Sequence, residues 1–152
     1  DFSQPENFQM RYIGEDGKQH RAFVVHRSSI GAIERIVAFL IEKYAGAFPL
    51  WLSPVQAKVI SISEKQSEYA KGVLAQLREG GIRAELDDSN DTLGKRIRNA
   101  KTEKIPYLLI VGDQEIKNNT ATLEGRAGKI GALAVEEIIH KLQEEIKIRA
   151  LS

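Results

Sequence analysis

Apolar and polar residues alternate in two short stretches near the start of the chain. Phe8–Ile13 and Arg21–His26 both follow the pattern of a strand, and Gly14–Gly17 supplies a turn between them, which predicts a β-hairpin. The polar residues 1–7 before it predict a tail or a cut end. A two-stranded hairpin is marginal in water, and no partner strands for it are predicted later in the chain. We therefore expect the hairpin to belong to a larger domain.

The spacing of apolar residues then changes to that of a helix. The apolar residues that recur every three or four positions are Ile33, Ile36, Val37, Leu40 and Ile41. They predict a helix from about Gly31 to Tyr44 with a buried apolar face. Ser28 or Ser29 is a suitable N-cap for this helix, and Gly46 is a suitable C-cap.

Residues 47–54 separate two parts of different character. They contain aromatic side chains and two prolines, which predicts an extended connector. The segment before the connector predicts a hairpin and a helix, whereas the segment after it begins a regular alternation of strands and helices. We therefore predict two parts, residues 1–50 and residues 51–152.

The second part alternates between strand and helix patterns. The predicted strands are 58–62, 82–86 and 105–111, with an edge strand at 120–123. The predicted helices are 64–79, 92–102 and 133–148, and Gly112–Asp113 predicts a turn into a short polar segment. The order β-α-β-α-β-β-α predicts an α/β domain in which helices cover a mixed β-sheet.

The composition narrows the class of protein. At 42% hydrophobic and 28% charged residues it is typical of a soluble globular protein, and we expect a cytoplasmic one. The longest apolar run, Ile36–Ile41, is far too short to span a bilayer, so no membrane partner is expected. The chain contains no cysteine, which excludes disulfides and Cys-based metal sites within it. A net charge of +1 means that any contact with RNA must be local.

Three segments carry candidate chemistry, and each has a structural alternative. Glu34–Arg35, behind Gly31, is either a solvated helix surface or the site of an arginine fork that holds a phosphate or stacks on a base. Asp87–Asp91 either caps the next helix or forms a loop that repels anions or binds a metal. The cationic run Lys95–Arg98 is either a solvated face or a contact to RNA phosphates. Further polar residues that a fold of this type can bring near this run are Lys117, Asn118, Asn119, Arg126 and Lys129.

Four segments together resemble the threonyl-tRNA synthetase family. They read HRAFVVHRSSIGAIER, EKYAGAFPLWLSPVQ, EYAKGVLAQLREGGIRAELDDSNDTLGKRIR and KIPYLLIVGDQE, and the resemblance extends from about Phe8 to Leu151. It implies a class II enzyme, a homodimer when complete, that uses ATP with Mg²⁺ to charge tRNA with L-threonine. It also implies that residues 1–50 end the catalytic domain and that residues 51–152 form a class IIa anticodon-binding domain.

The resemblance also assigns roles to individual residues. Gly31 and Arg35 look like the third class-defining motif, in which the arginine contacts ATP and has a catalytic role. His26 matches the histidine that helps to hold a Zn²⁺ ion, whose other ligands are expected before residue 1. Asn90 and Glu115 match positions that touch the bases of the anticodon stem-loop. The cations expected to contact tRNA are Arg96, Arg98 and Arg126.

The sequence departs from the family pattern at several positions. Ala22 replaces a proline, and Ala32 replaces a serine close to the ATP site. Glu124 stands where a base-reading arginine is expected, so a hydrogen-bond donor is lost and phosphate is repelled. The run that follows, Arg126–Gly131, is shortened. Either Arg126 takes over the missing contact, or the anticodon is read differently here.

The first two class motifs and the remaining zinc ligands are absent from the sequence. We therefore expect this chain to be catalytically incomplete by itself and to hold no cofactor alone. The favoured interpretation is an excised part of a longer enzyme, and a split or degenerate paralogue is the alternative. A function of another class also stays open, namely a non-catalytic or accessory protein that reuses this domain to bind a protein partner.

Overall fold

The structure, a computed structural model, describes residues 1–151. The chain divides into two compact units, Asp1–Ala38 and Phe39–Ser152. This division falls earlier than the boundary between residues 50 and 51, which was predicted from the change in sequence pattern at the connector and stays a prediction.

The first unit contains a short helix and a two-stranded hairpin. Helix α1 (Ser3–Asn7) forms where a polar tail was expected, because the Asp1 carboxylate accepts hydrogen bonds from the first backbone N–H groups of the helix. Strands β1 (Arg11–Ile13) and β2 (Gln19–Arg21) pair antiparallel, which confirms the hairpin. Residues 22–26 do not continue the second strand, so that part of the prediction is wrong.

Helix α2 (Ile33–Tyr44) confirms the predicted helix but not its predicted burial. None of its residues is buried, and Ile33, at the start of its apolar face, is 74% exposed. The spacing of apolar residues therefore predicts the helix correctly. Among the residues that the structure describes, however, none buries its apolar face.

The second unit is built on a five-stranded mixed sheet in the order β4-β3-β5-β6-β7. Strand β3 (Ala57–Ser61) pairs in parallel with β4 (Ala84–Asp87) on one side and with β5 (Tyr107–Val111) on the other. The sheet continues antiparallel through β6 (Thr120–Gly125) and β7 (Gly128–Ala134). This topology confirms the predicted mixed sheet.

Two elements of this unit were not predicted. Strand β7 makes β6 an interior strand, so the prediction of an edge strand at 120–123 is wrong. Helix α5 (Asp113–Asn118) replaces the predicted turn, because the Glu115 carboxylate accepts the N–H of Gly112 and closes its first turn.

Helices cover both faces of the sheet. Helices α3 (Ser67–Glu79) and α6 (Val135–Lys147) pack on one face, and α4 (Leu93–Thr102) packs on the other over Ile60 and Leu108. The largest fully buried apolar side chains of the α3–α6 core are Leu50, Val59, Val73, Leu77, Leu109, Val111, Leu123, Ile138 and Leu142. None of the helices within residues 1–151 is both long and apolar enough to cross a bilayer.

The parallel strands give the sheet two distinct edges. The loops after β3, β4 and β5 meet at the carboxyl edge, next to the point where the chain reverses its direction of winding. Ligands of open α/β sheets bind at such an edge, so these loops are where a site is expected. The connector, residues 47–54, instead bonds to Arg83, which precedes β4, and to Arg126, which lies between β6 and β7, at the amino edge.

Candidate nucleic-acid interface

A groove of about 560 Å³ runs along α4. Its lining residues are Gly94, Ile97, Arg98, Lys101, Thr102 and Lys104. Leu93, Ile97 and Ala100 of α4 pack towards the sheet, as predicted, which turns Arg98 and Lys101 outward. Together with Lys104 they present three exposed cations along one groove, an arrangement that suits successive phosphates of a nucleic-acid backbone.

Arg96 does not belong to this exposed set. Its side chain is 6% exposed, and its guanidinium donates hydrogen bonds to the backbone carbonyls of Ser61, at 2.8 Å, and Asp87. Its Nε lies 3.1 Å from the Asp87 carboxylate. The expectation that Arg96 contacts RNA phosphates is therefore corrected, because the guanidinium is already engaged. Arg96 instead ties the ends of β3 and β4 together beneath the loop that follows β4.

That loop forms one wall of a polar cavity of about 550 Å³ at the carboxyl edge. Asn90 lines the cavity and is exposed. The serines and carboxylates that line it are Ser61, Ser63, Ser67, Ser89, Glu64, Asp88 and Asp91. An acidic lining disfavours phosphate, whereas an exposed amide suits the edge of a neutral base, to which it can both donate and accept hydrogen bonds.

Asp87 fixes the conformation of this loop. Its carboxylate accepts the backbone N–H of Ser89 at 3.0 Å and the Ser89 hydroxyl at 2.7 Å. Burial alone would raise the pKa of Asp87, but the hydrogen bonds from Ser89 and the charge of Arg96 outweigh it and lower that pKa. Asp87 is therefore a charged structural group, and it leaves Asn90 as the exposed amide of the loop.

Glu115 occupies the corresponding position after β5. Its carboxylate accepts hydrogen bonds from the Gly112 N–H at 3.0 Å and from the Thr122 hydroxyl at 2.8 Å. Burial would raise the pKa of Glu115, but these bonds and the charge of Lys129 lower it. The side chain is half-buried and is held as a carboxylate, which is an acceptor for hydrogen-bond donors on a base.

The outer side of β6 adds a polar sheet face, which we define as Thr120, Thr122, Glu124, Lys129 and Ala132. Ala121 and Leu123 point into the α3–α6 core, so the alternate residues of β6 face the α4 side, and Lys129 and Ala132 pair with them from β7. The Glu124 carboxylate lies 2.6 Å from Lys101 Nζ and is 15% exposed. The charge expected to repel phosphate is thus compensated by a cation of the groove.

Arg126 is also engaged with the protein. Its guanidinium donates hydrogen bonds to the backbone carbonyls of Phe48 at 2.7 Å and Lys104 at 2.5 Å, with a longer one of 3.4 Å to Ala47. These bonds occupy both terminal nitrogens of the fork. Because the residue itself is exposed, its expected contact with tRNA, in place of an arginine at position 124, stays a prediction.

The two residues expected at the ATP site lie in the first unit. Gly31 has a positive φ of 77°, and its N–H donates to the Ser28 hydroxyl at 2.8 Å. Arg35 is exposed on the first turn of α2. A glycine at positive φ followed by an exposed arginine fits a phosphate-holding motif, but the catalytic role of Arg35 stays a prediction.

His26 is exposed, and its Nε2 lies 3.3 Å from the Asp1 carboxylate. Within residues 1–151, no group of three His, Cys, Asp or Glu side chains is placed to hold a metal ion. Because a structural zinc site needs four protein ligands and a catalytic one needs three, the residues of this chain do not fit a complete zinc site. The zinc role of His26 therefore stays a prediction about a larger protein.

Comparison with known families confirms the resemblance inferred from the sequence. The family model described as "Anticodon binding domain" matches residues 56–145. The chain is 47% identical over 152 residues to the threonine–tRNA ligase of Caldanaerobacter subterraneus subsp. tengcongensis, and 46% identical over 150 residues to that of Clostridium tetani. These alignments cover 99% and 98% of the chain but 24% of each relative, so the chain spans about a quarter of their length.

Solved structures agree with this comparison. The RNA-binding domain of threonyl-tRNA synthetase from Cryptosporidium parvum Iowa II superposes with a TM-score of 0.73 at 34% identity, covering 95% of this chain and 37% of that one. Prolyl-tRNA synthetase from Cryptosporidium parvum gives a TM-score of 0.59 at 22% identity over 66% of this chain and 22% of that one, which supports the fold alone.

Proposed function

The chain belongs to the anticodon-binding domain family, and we propose that it reads the anticodon of threonine tRNA as part of a threonine–tRNA ligase. The observation that carries the proposal is the groove along α4, in which Arg98, Lys101 and Lys104 are exposed. Their side chains bind phosphates of the anticodon stem-loop and fix its register, without reading sequence.

Sequence is read by the groups at the carboxyl edge. Asn90 follows β4 and Glu115 follows β5, and these strands flank β3. Adjacent strands are about 4.8 Å apart, so the two strand ends are roughly 10 Å apart. The Asn90 amide donates and accepts, whereas the Glu115 carboxylate only accepts, so the pair selects bases by the donors on their edges.

We further propose that the complete ligase works in the cytoplasm as a homodimer and activates L-threonine with ATP and Mg²⁺. Gly31 and Arg35 would then lie at the ATP phosphates, where an arginine fork stabilises negative charge. His26 would supply one ligand of a Zn²⁺ site completed by other residues. The expectation that this chain alone is incomplete predicts no ATP–pyrophosphate exchange by it.

RNA binding by the isolated chain tests the proposal. Fluorescence anisotropy with a labelled threonine anticodon stem-loop should show tighter binding than the same stem with a scrambled loop. Asn90→Ala should cost about 1–3 kcal/mol, but only for the cognate loop, because it removes a base contact. Arg98→Ala should weaken both RNAs and reduce the slope of log K against log salt by about 1, because it removes a phosphate contact.

Two further measurements complete this test. Lys71→Ala, on the outer side of α3 where Lys71 pairs with Glu68, removes a cation without touching the groove and should leave both affinities unchanged. Equal affinity of the wild-type chain for cognate and scrambled loops would contradict the proposed reading of the anticodon.

A second candidate function is an accessory protein that binds a protein partner. It is favoured by the apolar side chains exposed in the first unit, such as Phe8 at 74% and Val25 at 90%. This candidate predicts self-association or partner binding through residues 1–38, together with indifference to the anticodon sequence. Analytical ultracentrifugation of the chain, alongside the anisotropy measurements, separates the two functions.

A further inference from the structure

The connector is held to the second unit by side-chain donors along most of its length. Arg126 binds the carbonyls of Ala47 and Phe48, and the buried Gln56 side chain binds that of Leu50 at 2.9 Å. Arg83 binds two further carbonyls, those of Trp51 and Ser53, at 3.0 and 2.8 Å.

This bonding changes the predicted character of the connector. Residues 50–52 form a turn rather than an extended segment, and the N–H groups of Leu52 and Ser53 donate to the Pro49 carbonyl at 3.0 and 2.9 Å. A segment in which most carbonyls and some amides are paired is a fixed strap rather than a flexible linker.

Arg126 differs from the other donors because it also reaches the groove. Its third acceptor is the carbonyl of Lys104, the residue that ends the groove along α4. Lys104 adopts a left-handed conformation, with φ of 61°, at the position after the helix C-cap. The N–H of Ile105 donates to Ala100 and that of Lys104 to Lys101, which makes a Schellman motif closed by a lysine instead of the usual glycine.

The left-handed conformation of Lys104 is energetically costly. A left-handed conformation costs a residue with a side chain about 1–2 kcal/mol, so this turn is held by its surroundings rather than by its own preference. Arg126 helps to hold this turn, because its hydrogen bond orients the Lys104 carbonyl. A phosphate bound by the Lys104 side chain would act on the same residue from the groove side.

We infer that Arg126 is a positioning residue that couples RNA in the α4 groove to the order of the connector. The inference rests on the proposed function. RNA phosphates that hold Lys104 in its left-handed conformation strengthen the Arg126 bond to its carbonyl, and the same guanidinium then holds Phe48 more firmly. Because coupling between two sites is reciprocal, a fixed connector strengthens RNA binding by the same factor.

Hydrogen exchange of the full 152-residue chain, with and without the anticodon stem-loop, tests this coupling. The readout is exchange of the Leu52 and Ser53 amides, measured at RNA concentrations that saturate each variant. In the wild-type chain, RNA should slow this exchange about 5-fold or more, the lower end of usual coupling factors. In Arg126→Gln, saturating RNA should leave the exchange unchanged. RNA affinity should fall by the same factor by which RNA slows the exchange in the wild-type chain.

Two controls separate positioning from direct contact and from general loosening. Arg83→Gln removes a donor that holds the connector but does not bond to α4, so basal exchange should rise while RNA-dependent slowing persists. The salt dependence of RNA binding should be unchanged in Arg126→Gln and reduced in Arg98→Ala, because Arg126 does not neutralise a phosphate.

The outcomes are distinguishable. If RNA does not bind the wild-type chain, the proposed function fails and the coupling falls with it. If RNA binds but does not slow connector exchange, or slows it equally in Arg126→Gln, the coupling is overturned while the proposed function stands. A reduced salt slope in Arg126→Gln would likewise overturn it, because the residue would then contact phosphate directly.

Discussion

The two compact units of this chain treat their apolar side chains in opposite ways. In residues 39–151, both faces of the sheet are covered, and core residues such as Leu109 and Leu123 are fully buried. In residues 1–38, Pro5 is the one buried residue, while Phe8 and Val25 remain 74% and 90% exposed. Both units nevertheless contain regular secondary structure.

The difference separates local order from stability. Backbone hydrogen bonds suffice to define β1, β2 and α2, but burial of apolar surface contributes most of the free energy of folding, at about 25 cal/mol per Å². The second unit buries such surface within itself. The first unit buries almost no apolar surface, and the apolar face of α2, which begins in this unit, is left without a buried residue.

Truncation of matched apolar residues in the two units tests this difference most strongly. Leu109→Ala, at a fully buried position of β5, should lower the free energy of unfolding by about 3–4 kcal/mol because it leaves a cavity. Ile33→Ala, at a position that is 74% exposed, should change it by less than about 0.5 kcal/mol. Urea unfolding followed by far-UV circular dichroism and by Trp51, the single tryptophan, measures both. Equal losses would contradict the contrast between the units.

Two helical arginines sharpen the comparison for charged side chains. Arg96→Leu should lower the free energy of unfolding by about 2–3 kcal/mol, because it leaves the Asp87 carboxylate, 13% exposed, without its charged partner. Arg35→Leu, on the exposed first turn of α2, should leave the urea midpoint of the second unit unchanged. In RNA binding, the folded Arg96→Leu variant should show the same dependence of affinity on salt concentration as the wild-type chain. A reduced salt dependence would mean that Arg96 does contact RNA phosphates.

Most of the second unit followed from periodicity, and its exceptions have physical reasons. Strands β3, β4 and β5 alternate with helical patterns along the chain, so a mixed sheet covered by helices was predicted. Strand β7 was missed because Gly128 and Gly131, with φ of 130° and 139°, dilute any strand pattern. It exists because β6 offers it a full antiparallel ladder, which is a tertiary effect.

The site was less predictable than the fold, for reasons that differ between residues. Arg96 lies three residues after Leu93 and four before Ala100, so helical spacing already placed it on the inward stripe. This helical spacing predicts the position of Arg96 better than the cationic run in which it lies. Arg126 offered no such signal, because its acceptors at Phe48 and Lys104 are distant in sequence.

The stability of the two units should also differ in its dependence on acid pH, and this difference should be smaller. The pKa values of Asp87 and Glu115 are lowered in the folded chain, so their contribution to stability is present above the unfolded values of about 3.9 and 4.3 and is lost as pH falls through the folded values. The urea midpoint reported by Trp51 should therefore fall as pH decreases below about 5, and less steeply in Asp87→Asn.

The first unit supplies the control for this pH effect. The His20 hydrogen bond lowers the pKa of Asp16, but Asp16 lies on the exposed surface of the hairpin. Asp16→Asn should therefore leave the acid dependence of the Trp51 transition unchanged. A loss of acid dependence in this variant would mean that the Trp51 transition reports on the hairpin as well.

The smallest expected effect on stability comes from residues in a left-handed backbone conformation, of which each unit has an example. Gln9 and Lys104 have φ of 52° and 61°, a region that favours glycine. Lys104→Gly should raise the free energy of unfolding of the second unit by about 0.5 kcal/mol, because relief of about 1–2 kcal/mol of strain exceeds the added entropy of the unfolded chain. Gln9→Gly, in a unit without a closed core, should leave the urea midpoint reported by Trp51 unchanged. A destabilised Lys104→Gly chain would show that the lysine side chain supports the turn, since the Arg126 bond to the backbone carbonyl survives the substitution.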